Sequence, residues 1–512
     1  MSDFQVIIVG AGTAGCVLAR RLVERTDARV LVVEAGPRYA GWALGPPLAG
    51  LRLRRRWSWP LESVPQPQLG GRRIPLPMGR VVGGSSSVNA MVAAAGPPAD
   101  YDAWAAAGNE GWAWADLAPC WERVAAPAGG GLLPVAAPRH ESAFSAAFLR
   151  ACAEVGIDRR QPLTGAEAET CGTFSLFQHR GWRASAARCL SAAGPADRLA
   201  VMPRAPVRRV VMEGGRAAGV ELGGPRRAGR IVAADAVVLC AGALLSPHLL
   251  QVSGIGPAES LEAAGLAVRL HLPGVGRDLQ DHAGVPVVVE SALPPPGRPS
   301  RWLAASIRHA VLGTGVMASN CCEAACFLAA VDGAAGAAPG IEVYTHFQTG
   351  RHPRAVEFSV VLMHPRSRGT ILPNPADPWA GPLVDPRILT DAADRTALVA
   401  GVERVRSIVA TRALRGFGLG REILPGGPPG RPADDAFLRD HAATYHHPVG
   451  TCRMGGDRLA VVDARLRVHG AANLWVVDNS VVPAIPAGHT AATALVIAER
   501  AADFLAADLG RR

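Results

Sequence analysis

The first forty residues are governed by a glycine-rich turn wedged between an apolar strand and a helix. Gln5-Val6-Ile7-Ile8-Val9 reads as a buried strand, and Gly10-Ala11-Gly12-Thr13-Ala14-Gly15 follows without a spacer. Cys16 to Arg25 has helical character, and Arg29 to Val33 is a second apolar strand that ends at Glu34. Strand, glycine turn, helix, strand and acid in this register are the pattern of a dinucleotide-binding βαβ unit. Residues without a Cβ let backbone N–H groups approach a pyrophosphate, at a helix start whose partial positive charge favours an anion. Gly10, Gly12 and Gly15 are the expected pyrophosphate contacts, and Glu34 the acceptor for a ribose diol. A plain strand-to-helix turn would leave the placed carboxylate without a role.

A chain of 512 residues is long enough for two domains sharing a sizeable core. Its formal charge of +10 raises a nucleic-acid partner as a question. Every basic residue is arginine, and apart from Arg52-Leu53-Arg54-Arg55-Arg56 they are scattered. That pattern reads as a solvated arginine-rich surface, not a groove that tracks phosphates, and no nucleic-acid partner is expected. The lack of lysine excludes Schiff-base chemistry and a Walker A lysine. The ten cysteines show no paired metal spacing, and Cys321, Cys322 and Cys326 in their apolar stretch read as buried free thiols. The first strand starts too early to leave room for a signal peptide, and no apolar run reaches the ~18 residues of a membrane helix. The expected setting is soluble, reducing and cytoplasmic.

Further along, residues 46–78 read as a long irregular excursion rich in Pro, Arg and Trp, and 127–140 as a linker. Residues 142–155 have helical spacing. Val207 to Val211, Ala217 to Leu222 and Arg230 to Leu239 read as strands, the last running into Cys240-Ala241-Gly242. Residues 281–365 read as strands and loops of a second domain, with a strand over Glu357 to Met363. A helix is expected over Asp394 to Thr411, a buried strand at Asn473 to Asp478, and an alanine-rich helix from Thr490 to Leu505. The fold class expected is α/β plus α+β. A Rossmann-like nucleotide domain is assembled from residues 1–275 and 456–512, with part of 100–195 contributing to the other side. A second domain over 276–455 is inserted into it.

Four motifs in order give the chain a wider resemblance. They are Gly79-Arg80-Val81-Val82-Gly83-Gly84-Ser85-Ser86-Ser87-Val88-Asn89-Ala90-Met91, then Gly242-Ala243-Leu244-Leu245-Ser246-Pro247 through Ser253-Gly254-Ile255-Gly256. His447-Pro448-Val449-Gly450-Thr451-Cys452-Arg453-Met454-Gly455 follows, and last Asp478-Asn479-Ser480 with Pro486-Ala487-Gly488-His489-Thr490. In these the chain resembles the glucose–methanol–choline (GMC) oxidoreductases, which bind FAD. The resemblance implies a mixed sheet in the FAD domain, an antiparallel sheet that roofs the flavin, and oxidation of an alcohol carbon to a carbonyl. It places Arg80, Gly83, Gly84, Ser85, Asn89, Ala90 and Met91 along the pyrophosphate and isoalloxazine, and the Val207 backbone at adenine. Asp478, Asn479, His489 and Thr490 would close the site, with the last helix aiming its N-terminus at the flavin ring.

Such a reaction needs the hydroxyl proton removed and the negative charge on oxygen stabilised. The resemblance makes His447 the base and His489 the hydrogen-bond partner of the alkoxide. His446 would shape the substrate pocket, and Glu323 would either face substrate or be paired structurally. The chain departs from the family pattern in three places. Val92-Ala93-Ala94-Ala95-Gly96 stands where Tyr, any residue, Arg, Gly is usual. Val88 replaces the His that some members bond to the flavin, so the FAD is expected to be non-covalent. His446 precedes His447. A metal site from His441, His446, His447 and Cys452 lacks suitable spacing, and a serine nucleophile lacks its G-x-S-x-G elbow. The expected partners are a small-molecule alcohol and O2 or another electron acceptor. Two alternatives remain at this point: a lyase cleaving cyanohydrin-like substrates without net redox, and a flavin-stabilised binding protein.

Overall fold

The computed structural model describes residues 4–125, 131–191, 197–224, 229–292, 299–330, 338–347, 354–426 and 433–510. Two sheets organise the chain. The first takes its parallel core from distant segments, in the order Leu199–Met202, Val30–Val33, Phe4–Val9, Ile231–Leu239. Leu474–Val476 pairs in parallel with the Ile231–Leu239 strand, and the antiparallel Val207–Glu213 and Arg216–Leu222 hairpin extends the edge. The result is the mixed sheet expected of a Rossmann-like domain. Val30–Val33 is apolar throughout, as are the adjoining stretches Val6–Val9 and Ala236–Leu239, because both faces of the sheet are buried there. The Thr13–Arg25 helix packs against the Thr490–Leu509 helix, and both contribute buried residues to the same core.

The second sheet runs Leu419–Leu424, Ala283–Ser291, Ala355–Leu362, Pro339–Phe347, Ala324–Ala329, Thr170–Thr173, Asp158–Arg159. It is antiparallel except for the parallel Asp158–Arg159 pairing at one edge. Side chains alternate across it with a period of two. Val285, Val287, Ile341, Val343, Val356, Phe358 and Val360 point to one face, into a core shared with the Ala143–Glu154 and Ala392–Val409 helices. Pro286, Tyr344, His346, Glu357 and Ser359 point to the other face and line a cavity. The sheet is thus a roof, apolar above and polar below.

Two segments differ from the sequence reading. Residues 46–78 contain a short helix, Pro47–Leu53, whose proline sits at the helix start, where no N–H is needed. Within 281–365 lies the Pro299–Leu312 helix, where strands and loops were expected. Positions 127–130 of the expected linker lie outside the described residues; 131–140 carry a two-residue strand, Val135–Ala136. All ten cysteines are free thiols and nine are buried. Among the described residues, no helix is long and apolar enough to cross a membrane.

The glycine turn is held by close backbone approach. Gly10 has φ +105°, and a Cβ there would lie 2.4 Å from the carbonyl oxygen of Cys240 on the neighbouring strand. Gly10→Ala is therefore expected to cost about 2 kcal/mol or more. Gly456→Ala, with nothing within 4 Å of the added carbon, should stay within about 0.5 kcal/mol of the parent. Chemical denaturation of both variants checks the contrast.

Candidate functional site

A cavity of about 630 Å³ separates the two sheets. On one wall stand Gly12, Gly84 and Ser85, together with Asn89, Ala90 and Met91. The roof supplies Glu357, His346 and Ser359, and the C-terminal segments supply His446, His447, Asn479, His489 and Thr490. The glycine wall is tight by construction. A Cβ on Gly84 would lie 2.6 Å from Gly12 Cα, so the two turns touch through their bare backbones.

His447 sits on a segment stitched to both sheets. Its amide donates to Asp281 Oδ1 at 2.8 Å, and Thr444 donates to the other oxygen of the same carboxylate. Val449 exchanges backbone hydrogen bonds with Gln280 at 2.9 and 3.1 Å, while Cys452 N donates to Ser480 O at 2.7 Å. His447 Nδ1 lies 2.9 Å from His282 Nδ1. One ring must donate there and the other accept, which couples the tautomers of the two imidazoles. His489 stands beside them, its ring centroid 5.1 Å from that of His447. Its amide donates to Ala94 O at 2.9 Å, and its Nε2 lies 3.0 Å from Glu342 Oε1.

Burial sets the charge of this cluster. It drives the His447 imidazole well below its usual pKa, and positive charge on His282, His489 or His446 would lower it further. His282 falls to about 3 and His446 to about 4, burial again being the main cause. Both rings, and that of His447, are neutral near pH 7. Burial pushes the Asp281 carboxyl up to about 7, against the hydrogen bonds from Thr444 and the His447 amide. His446 has φ +64°, a left-handed conformation unusual for a residue with a Cβ, and its amide donates to Thr444 Oγ1 at 2.9 Å. Among the described residues no three His, Cys, Asp or Glu side chains converge as a metal site would require.

The family model described as GMC oxidoreductase matches in two parts, an N-terminal model over residues 4–284 and a C-terminal model over 365–498. The chain belongs to the GMC oxidoreductase family. A GMC-type oxidoreductase of Mycobacterium tuberculosis is 35% identical over 98% of this chain and 99% of its own length. The alcohol dehydrogenase [acceptor] of Pseudomonas putida is 33% identical over 98% and 95%. The crystal structure of pyridoxine 4-oxidase from Mesorbium loti superposes with a TM-score of 0.87 at 33% identity, covering 98% of each chain. The protein is a flavin-dependent enzyme acting on CH–OH donors, and its cofactor is FAD.

The residues present fit that GMC cofactor. Asn479 Oδ1 and His446 Nδ1 are buried polar atoms on the cavity wall with no partner in the protein, as a ligand with a hydrogen-bonding edge requires. Of the residues expected to contact FAD, Gly12, Gly84, Ser85, Asn89, Ala90, Met91, Asp478, Asn479 and Thr490 line the cavity. Gly10, Gly15, Glu34, Arg80, Gly83 and Val207 lie outside its lining. Glu34 is buried where its strand ends, accepting from Ala11 N at 2.9 Å and Gly36 N at 2.7 Å. Each oxygen keeps a lone pair for a ribose hydroxyl. Gly15 lets the helix close on its own turn, since a Cβ would meet Gly10 O at 2.0 Å. Arg80 lies over the Trp59 ring at 4.3 Å. Asp478 accepts from Gly242 N, Ser246 Oγ and Ser480 N at 2.8, 2.6 and 2.8 Å, which ties two cavity turns together.

Glu323 stands apart from the cavity lining. It accepts from Ser142 N, Ser145 Oγ and Ser319 Oγ at 2.7, 2.9 and 2.6 Å, close to the start of the Ala143–Glu154 helix. This placement matches the structural alternative for Glu323, and the substrate reading has no contact to rest on. The sequence reading missed His282, Asp281 and Glu342. The only signal for the first two was Asp278-Leu279-Gln280-Asp281-His282, a polar run opening an apolar strand, and Glu342 had none.

Proposed function

We propose that the protein oxidises an alcohol carbon to a carbonyl, with His447 as the base and His489 as the partner of the same oxygen. The observation that carries this reading is the pairing of two imidazoles at 5.1 Å on the cavity wall, each with its second nitrogen already engaged. His447 donates from Nδ1 to His282 in this reading, which leaves the Nε2 lone pair to take the hydroxyl proton. Its neutrality near pH 7 suits the role. His489 engages Glu342 through Nε2, which leaves its Nδ1 as the partner of the substrate oxygen. FAD, when bound, supplies the acceptor for the two electrons and the carbinol hydrogen. Gly12, Gly84, Ser85 and Asn479 would hold it, with Glu34 at the ribose.

Val88 lines the cavity and offers no nucleophile, so the FAD is held without a covalent bond. Acid precipitation of the yellow protein is expected to leave the flavin in the supernatant. Colour retained on the pellet would contradict the assignment.

Replacing His447 by Ala should lower the rate of anaerobic flavin reduction by at least ~100-fold while FAD content stays unchanged. Stopped-flow mixing with a panel of primary alcohols, sugars, amino alcohols and pyridoxine-like aromatics names the substrate class and tests the base in one series. A flavin that stays oxidised throughout, with aldehyde released from a cyanohydrin, would replace this reading by the lyase alternative.

The pH profile follows from the lowered His447 pKa. A base works only when deprotonated, so its rate falls as pH drops through that value, and the value lies below the usual ~6.5. Flavin reduction is expected to be flat from about pH 6.5 upward and to decline only in more acidic buffer. An acid limb centred at neutrality or above would remove His447 from the role.

A further inference from the structure

Exposed apolar side chains and arginines gather on two adjoining segments that the reaction does not use. Nine large apolar side chains are exposed among the described residues, and six belong to these segments: Trp42 and Leu53 from the successive short helices Gly41–Leu44 and Pro47–Leu53, and Leu303, Ile307, Val311 and Leu312 from the Pro299–Leu312 helix. The last four are 65, 57, 74 and 58% exposed. Three of them are spaced four apart along the Pro299–Leu312 helix, which makes one stripe. The opposite side of that helix is anchored. Trp302 lies under the Arg52 guanidinium at 4.3 Å, and His309 Nε2 meets Gly181 O at 2.9 Å beside the Trp182 ring.

The same two segments are rich in arginine. Neither residues 35–61 nor residues 291–322 contain an Asp or Glu, and together they carry eight arginines against a net charge of +10 for the whole chain. Arg52, Arg54, Arg55, Arg56 and Arg308 are exposed. Leu51 and Arg54 also line the cavity, so this surface adjoins the mouth of the site.

We propose that this face docks the protein on an anionic phospholipid surface. Protruding aliphatic side chains on an acid-free helix, flanked by clustered arginines, are the composition that seats in the headgroup region of such a bilayer. A second copy of the chain fits poorly, because a two-fold interface would set the arginine cluster against itself. The arginine-rich run is then a binding surface, in place of the solvated patch expected from sequence. The cavity mouth would open close to the lipid.

The test is flotation of the FAD-loaded protein with vesicles of phosphatidylcholine alone and with roughly 30 mol % phosphatidylglycerol. Binding is expected on the anionic vesicles only, and to weaken with added salt. Arg55→Ser with Arg56→Ser should reduce the partition coefficient about 30-fold, at ~1 kcal/mol per arginine. Leu303→Ser, Ile307→Ser and Val311→Ser together should abolish binding, with FAD content and the near-ultraviolet spectrum unchanged. Equal partition onto neutral and anionic vesicles, or full binding by both variants, overturns the proposal. So does a dimer in size-exclusion chromatography that the triple variant dissociates while the parent ignores vesicles.

Discussion

One strap of backbone, residues 447 to 454, ties the two sheets together and carries His447 between them. At its start Val449 pairs with Gln280, just before the Ala283–Ser291 strand of the roof. At its end Cys452 and Met454 donate to Ser480 and Val481 at 2.7 and 2.8 Å, just after the Leu474–Val476 strand of the nucleotide sheet. His489 is fixed separately, through its amide to Ala94 O. The distance between the two imidazoles is therefore set by the strap. Gly450 permits it: its φ is +92°, and a Cβ there would meet Asp278 O at 2.4 Å. A side chain at that point would push the strap from residues 278–280 and spoil the spacing on which the proposed proton transfer depends.

Desolvation does the electrostatic work in the cluster. Four rings share the region, and burial lowers three of them, His282, His446 and His447, so that they stay neutral across the neutral range. His489 differs by having a carboxylate, Glu342, in contact. A pair of imidazoles in contrasting surroundings is what separates a proton acceptor from a proton donor at one site. Asp281 adds a third control, holding the His447 amide while His282 holds the ring.

Local pattern was legible wherever periodicity and burial agreed. The Phe4–Val9, Val30–Val33 and Ile231–Leu239 strands and the Thr13–Arg25 and Thr490–Leu509 helices lie within a few residues of where apolar spacing puts them. The His447 and His489 motifs were legible through the family resemblance, because each is a compact run that carries it. Partners made by strand pairing were not. Glu342 meets His489 across 147 positions and His282 meets His447 across 165, and no local pattern carries that register. Glu323 and Glu342 show the cost of lacking it. Both are buried acids near roof strands, but Glu323 precedes its strand and turns to the serines at a helix start, while Glu342 shares the cavity-side alternation of Tyr344 and His346. The Pro299–Leu312 helix escaped for a different reason: its apolar stripe faces outward, so the usual inference from spacing to core fails.

The departure at Val92-Ala93-Ala94-Ala95-Gly96 acquires a physical meaning in this arrangement. A Cβ on Gly96 would lie 2.8 Å from Gly488 N, and one on Gly488 would lie 2.4 Å from the Ala95 carbonyl carbon. The two strands of chain lie flush, and Tyr101 seals the contact by donating to Ala95 O at 2.8 Å. Small residues at 93–96 let the segment carrying His489 approach this closely. A bulky or charged side chain at Ala94 or Ala95, both buried, would have to displace it. The polar side chains that face the cavity above the two imidazoles come instead from the roof, where Glu357, Ser359 and His346 project from the antiparallel sheet. The strand alternation of the second sheet thus divides its side chains between the cavity and the core: Glu357, Ser359 and His346 face the cavity, while the apolar face of the same strands carries the packing.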